Sequence, residues 1–236
     1  MEPKDQVSEI DKQLLLGKAN ARANPLFVLA STQHAKSENI YLLAEVYEAF
    51  KKMYSAAQSD GVRLIIISGF RDFDHQVRIW NNKWNGIQML EGNIRATDID
   101  NKLERTIEIL KYSAMPGTSR HHWGTDIDLN SLSNSYFKRG HGLKVYKWLL
   151  ENAAKFGFHQ PYTELATSRN SGHAQENWHW TYLPVSKKYL NAFRNVITLE
   201  DLSGFEGDDL VKEVNVIRNY VLQINNELID FEITQH

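Results

Sequence analysis

Ser119-Arg-His-His-Trp-Gly-Thr-Asp-Ile-Asp128 gathers two imidazoles, two carboxylates and a glycine into ten residues. From Asp126 to Leu129 polar and apolar residues alternate, the period of a strand, so Asp126 and Asp128 share one face. His121 lies in the turn before that strand, and Gly124 permits a backbone path tight enough to fold His121 back over the carboxylate face. An imidazole and a carboxylate brought together in this way make half of a metal site. The chain has no cysteine, so any metal must be held by His, Asp or Glu. Asp126 and Asp128 compete for the ligand position, and the one not used is free to orient a ligand or cap a turn. His122, adjacent to His121, points elsewhere, to packing or to a supporting contact.

The other half comes from Glu176-Asn-Trp-His-Trp180. Trp178 to Tyr182 is rich in aromatics and reads as a strand stopped by Pro184. His179 on this strand completes a set of two imidazoles and one carboxylate, which suits Zn2+ and leaves a fourth position for water, the mark of a catalytic rather than a structural site. Zinc lowers the pKa of its water toward ~7, and a nearby base must still take the proton. Glu176 is the candidate base. It precedes His179 by an odd number of residues, so the two can face one site only if a bend or bulge falls between them. His34, His75, His141, His159, His173 and His236 are read as surface or core residues.

Val62 to Ile67 is a nearly continuous apolar run, typical of a buried strand, and delivers Ser68-Gly-Phe-Arg71 at its end. Arg71 is a candidate there for gripping a carboxylate or an oxyanion, with an ordinary surface ion pair as the alternative. Helical spacing marks Asn39 to Ala57, Gln76 to Trp84, Asp98 to Tyr112 and Leu143 to Phe156, the last ended by Gly157. A short helix is expected around Ile10 to Leu16. Asn130 to Gly140 is polar, a loop or a flap at the mouth of a site, and Phe158 to Arg169 is irregular. In the tail, Val211, Val214, Ile217, Val221, Ile224 and Leu228 recur at intervals of three or four and predict one continuous helix. The fold class expected is α+β, a small antiparallel sheet carrying the metal site and flanked by helices. Residues 1–38 form an arm packing on the main domain, 39–185 the main domain, and 186–236 a helical extension docked on it.

A net charge of -2, with Lys and Arg scattered, argues against nucleic acid as a partner. No apolar run reaches the ~18 residues of a transmembrane helix. Met1-Glu-Pro-Lys-Asp lacks the basic and then apolar pattern of a signal peptide. That leaves two locations compatible with the sequence: the cytoplasm, or the cell envelope after loss of an export signal.

Ser119-x-His121-x-x-Gly124-x-Asp126-x-Asp128 and Glu176-x-Trp178-His179 resemble the two signatures of the VanY-type D-alanyl-D-alanine carboxypeptidases, zinc peptidases that share a fold with the hedgehog signalling domain. Ser68-Gly-Phe-Arg71 followed by Gln76 resembles that family's upstream substrate motif, usually Ser-Gly-Tyr-Arg with a Gln beyond. The resemblance covers roughly Ile40 to Leu183. It implies that His121, Asp128 and His179 are zinc ligands, that Glu176 is the general base, and that Arg71 contacts substrate and supports the oxyanion. It further implies that Ser119, Gln76 and Ser68 are substrate contacts. The implied activity is removal of a terminal D-Ala from peptidoglycan stem peptides in the cell envelope. An L,D-carboxypeptidase, a peptidoglycan endopeptidase and a non-catalytic zinc-containing cell-wall module are the alternatives. Two departures stand out: Phe70 lacks the usual hydroxyl, and Asp126 occupies a position where Ala is frequent.

Overall fold

Asp126, Asp128, His179 and Thr181 fall on one face of an antiparallel sheet because of how its strands register. In a computed structural model that describes residues 10–166 and 169–229, the chain opens with α1 (Lys12–Leu15), capped by Asp11 and burying Leu14 and Leu15. β1 (Phe27–Leu29) and β2 (Tyr41–Leu43) then form a two-stranded antiparallel sheet. The helix expected from Asn39 starts later, as α2 (Ala44–Ser59), because Tyr41 to Leu43 pair with β1 first. Its buried stripe is the predicted one, including Val46, Phe50 and Met53.

β3 (Ile66–Ser68), β4 (Asp126–Leu129), β5 (Phe158–His159) and β6 (His179–Tyr182) make the main sheet in the order β3-β4-β6-β5, every neighbouring pair antiparallel. Ser68 pairs with Asp128, and Asp128 pairs with His179, so one row crosses three strands. Asp126 opposite Thr181 forms the next row on the same face. The β3–β4 register shifts between Ile66 and Ser68, the signature of a bulge, which re-aims the strand end that leads to Arg71.

Helices cover the remaining surfaces. α3 (Phe73–Trp84) is capped by Asp72, whose Oδ1 accepts from the His75 amide at 2.7 Å, and α4 (Lys102–Leu110) is capped by Asn101. α5 (Gly140–Asn152) runs into a 3-10 turn that ends at Gly157, in the left-handed region at φ 82°. α6 (Leu183–Val196) begins where the sequence suggested a stop. Pro184 sits in its first turn, where a missing N–H leaves no intrahelical bond unmade, and α6 crosses position 185. Phe158 and His159, read as irregular, add the edge strand.

The continuous tail helix is not formed. α7 (Val211–Val214) ends at Asn215, which adopts φ 49° and ψ 55°. A π-helical turn follows over Ile217–Val221, then α8 (Asn226–Ile229). Asn tolerates the left-handed conformation better than most residues, so the break falls there while the apolar face survives. Val211, Val214, Val221, Ile224 and Leu228 are all buried. A single apolar cluster reaches from Leu14 to Leu228, and the Trp123 indole N–H donates to the Leu15 carbonyl at 3.3 Å, tying the first segment to the motif turn. Among the described residues no helix is long and apolar enough to cross a membrane. The expected arm, tail and surface positions at 1–9, 167–168 and 230–236, His236 among them, lie outside the described residues.

Candidate metal centre

The motif turn is a 3-10 turn, Arg120–Trp123, ended by Gly124 at φ 69°. A Cβ on Gly124 would meet Phe27 Cε1 at 2.5 Å, so both the backbone conformation and the packing require glycine there. This turn brings His121 over the β4 face. Its Nδ1–H donates to the Gly69 carbonyl at 2.8 Å, which leaves Nε2 bare, 3.2 Å from Asp128 Oδ2. On β6 the assignment is reversed. His179 Nε2 lies 2.9 Å from Asp126 Oδ2, so it is Nδ1 that faces inward, 3.3 Å from Asp128 Oδ1.

His121, Asp128 and His179 each offer a donor atom, all within 4.8 Å of one another and all on buried residues. Two donors about 2.05 Å from a tetrahedral ion are roughly 3.3 Å apart, close to the distance of each histidine from its nearer Asp128 oxygen. The buried Asp128 Oδ1 accepts no hydrogen bond of good geometry despite its proximity to His179. An orphaned, desolvated carboxylate oxygen beside the inward nitrogen of His179, on a carboxylate whose other oxygen adjoins His121, is what a divalent cation would satisfy. The residues present fit zinc.

Burial would push the Asp128 carboxyl up, but the two imidazoles hold it well below the usual carboxylate range. Burial would lower His179, yet the neighbouring carboxylates of Asp126, Asp128 and Glu176 outweigh that and raise it well above an ordinary histidine.

Glu176 Oε2 lies 3.2 Å from His179 Nδ1. The bend that the odd spacing demanded is a turn through Asn177 and Trp178, closed by the His179 amide donating to the Glu176 carbonyl at 3.2 Å. Arg71 comes off β3 and is held by two partners: Nη1 donates to Gln76 Oε1 at 2.9 Å and Nη2 to Ser68 Oγ at 3.1 Å, with Nη2 also 3.8 Å from Asp128 Oδ2. A cavity of about 370 Å³ is lined by Arg71, Ser119, His121, Asp128, Glu176 and His179, with Lys83, Tyr162 and Trp178 among its other walls.

Gln76 and Ser68, expected as substrate contacts, do not line this cavity. Gln76 is fully buried and both ends of its amide are used, since Nε2 donates to the Ala114 carbonyl at 2.7 Å. The pair buttresses Arg71 from behind. Phe70 does not line this cavity either: its ring stands edge-on to Phe27 at 4.8 Å, and it borders a separate pocket with Asn20, Arg22 and Asp72.

Asp126 is the residue that sequence reasoning left open. It is 0% exposed and accepts five hydrogen bonds: from Arg120 Nε at 2.8 Å and Nη2 at 3.5 Å, His179 Nε2 at 2.9 Å, Thr125 Oγ1 at 2.6 Å and Thr181 Oγ1 at 2.8 Å. Burial opposes its charge, but Arg120 and His179 hold it ionised, well below the ordinary range. Asp126 thus orients His179 instead of competing with Asp128. Arg120 was missed, although its place between Ser119 and His121 was a signal, because a basic residue there reads as exposed until its carboxylate partner is known. His122 packs inward: Nδ1 donates to the Arg71 carbonyl at 2.6 Å and Nε2 accepts from the Gly117 amide at 3.1 Å, with burial holding its pKa down to about 3.

Comparison with known proteins gives a consistent result. The chain is 30% identical over 169 residues to YodJ of Bacillus subtilis, covering 70% of this chain and 55% of that protein. It is 29% identical over 185 residues to a D-alanyl-D-alanine carboxypeptidase of Enterococcus faecalis, covering 77% and 62%. The chain therefore spans little more than half the length of these relatives. The solved structure of VanYB in complex with D-alanine-D-alanine shares the fold, with a TM-score of 0.53 at 24% identity over 77% of this chain and 90% of that one. A VanY structure in complex with Zn(II) gives 0.52 at 23% identity over 78% and 92%. The VanY family model, described as D-alanyl-D-alanine carboxypeptidase, matches residues 39–185, more than half of the sequence, and the chain belongs to that family.

Proposed function

We propose that this protein is a zinc-dependent carboxypeptidase that hydrolyses the terminal D-Ala peptide bond of peptidoglycan stem peptides. The observation that carries the reading is Glu176 Oε2, 3.2 Å from the inward nitrogen of His179, in a cavity that His121, Asp128 and Arg71 also line. A zinc ion held by His121, Asp128 and His179 would polarise the scissile carbonyl and acidify a water. Glu176 takes the proton from the attacking water and returns it to the leaving amine. Arg71, fixed by Ser68 and Gln76, steadies the charge that develops on the carbonyl oxygen. Ser119, on the cavity wall, supplies a polar contact to the peptide. Residues 39–185 form the peptidase unit, with 1–38 and 186–236 as its flanks, and the cell envelope is where such a substrate is met.

The test is incubation of the zinc-loaded protein with a stem pentapeptide ending in D-Ala-D-Ala, followed by mass spectrometry. Loss of one D-Ala, abolished by a chelator and restored by zinc, is expected. If zinc is bound and neither D-Ala nor a larger fragment is released, the reading fails. A tetrapeptide substrate run in parallel separates D,D- from L,D-cleavage.

A further inference from the structure

An exopeptidase must recognise a chain end, and the end it recognises here is a carboxylate. Arg71 is poorly placed to hold it. Two of its N–H groups go to Gln76 and Ser68, and Nη2 lies 3.8 Å from Asp128, so the guanidinium is held against the metal donors, where the scissile bond must sit. A second cation reaches the same cavity from the last turn of α3. Lys83 lines the wall, and its Nζ donates to Ser113 Oγ at 2.6 Å. The Ser113 hydroxyl donates a hydrogen bond to the Tyr112 carbonyl at 2.8 Å, so it acts as an acceptor toward Lys83 and fixes the ammonium in place. An ammonium carries three donors, and this arrangement uses one.

Among the described residues Lys83 forms no ion pair. Glu176 and Glu91 act on it only over longer range, and Arg71 opposes it. It is also mostly removed from solvent, with burial pulling its pKa below the ordinary lysine value. A desolvated cation with no carboxylate beside it, facing the cavity of a catalytic site, is a site waiting for an anion.

We propose that Lys83, held by Ser113, binds the terminal carboxylate of the residue that leaves, and so sets the preference for cleavage at a chain end. This rests on the carboxypeptidase reading given above. Arg71 then serves the scissile bond and Lys83 the chain end, two cations for two separate charges.

The test compares a D-Ala-D-Ala-ended peptide with its C-terminal carboxamide, using zinc-loaded Glu176→Gln protein so that binding is read without turnover. The acid should bind more tightly than the amide. Lys83→Met should weaken the acid roughly 10- to 100-fold and leave the amide nearly unchanged, as expected for loss of a charge-assisted hydrogen bond. Lys83→Arg should keep much of the preference. Equal weakening of both peptides would mean that Lys83 only braces the wall, and an acid preference surviving in Lys83→Met overturns the assignment outright. Turnover by protein with Glu176 intact separates the two levels. No D-Ala release with Lys83 present sinks the carboxypeptidase reading, whereas release with unchanged KM in Lys83→Met sinks the subsite alone.

Discussion

His179 Nε2 and Asp126 Oδ2 stand 2.9 Å apart, both buried, and that contact selects which nitrogen of the His179 ring faces the metal donors. A carboxylate on the far nitrogen fixes the tautomer and makes the ligand more basic. Asp126→Asn is expected to lower zinc affinity about 10- to 100-fold, measured by competition with a chromophoric chelator. It also strands the buried Arg120 guanidinium, at a cost of roughly 3–5 kcal/mol in unfolding free energy. The double variant Arg120→Met with Asp126→Ala should regain much of that stability but not the affinity. Zinc binding as tight as wild type in either variant would show that the contact is structural only.

Glu176→Ala should reduce turnover by about 10²- to 10⁴-fold, the usual contribution of a positioned acid-base group. Zinc content by atomic absorption should stay near that of wild type. Loss of the metal would reassign Glu176 as a ligand.

His121→Ala removes one of three donors and should lower zinc occupancy sharply at any zinc concentration that just saturates wild type. Unchanged stoichiometry after dialysis would sink the donor set. The Gly69 carbonyl that accepts from His121 Nδ1 is left unsatisfied, so a modest drop in Tm is expected as well.

His173, which lines the same cavity as the proposed donors but is not one of them, gives a pH signature of its own. It is buried against the Tyr162 and Tyr220 rings, donates from Nδ1 to the Leu110 carbonyl at 2.6 Å, and burial lowers its pKa from 6.5 to about 4. Between those values the unfolded chain binds a proton that the folded protein refuses. Its contribution is therefore complete above about pH 6.5 and is lost as pH falls toward 4, about 3 kcal/mol in all. His173→Gln should lose stability at pH 7 and show a shallower decline on acidification, so the two denaturation midpoints converge near pH 4.5. Parallel curves would contradict the assignment.

The convergence of His121, Asp128 and His179 was legible because their residue types are rare together and strand parity put two carboxylates on one face. Even the turn between Glu176 and His179 could be required in advance from that parity. The roles of Asp126, Arg120 and Lys83 were not legible, since each depends on a partner that only the folded sheet or an adjoining helix supplies. Gln76 shows the opposite limit: its motif position suggests a substrate contact, while its amide is fully used in holding Arg71 and closing on Ala114. In the tail, periodicity identified the buried residues and missed the break, because a left-handed Asn215 changes the direction of the chain without changing which side chains are apolar.

The row from Ser68 through Asp128 to His179 joins residues far apart in sequence, and its last member lies on the last strand among the described residues. Until β6 docks, His121 and Asp128 stand without the third proposed donor. If these residues hold a metal, tight binding would therefore follow completion of the sheet, and the ion would lock a pairing already correct.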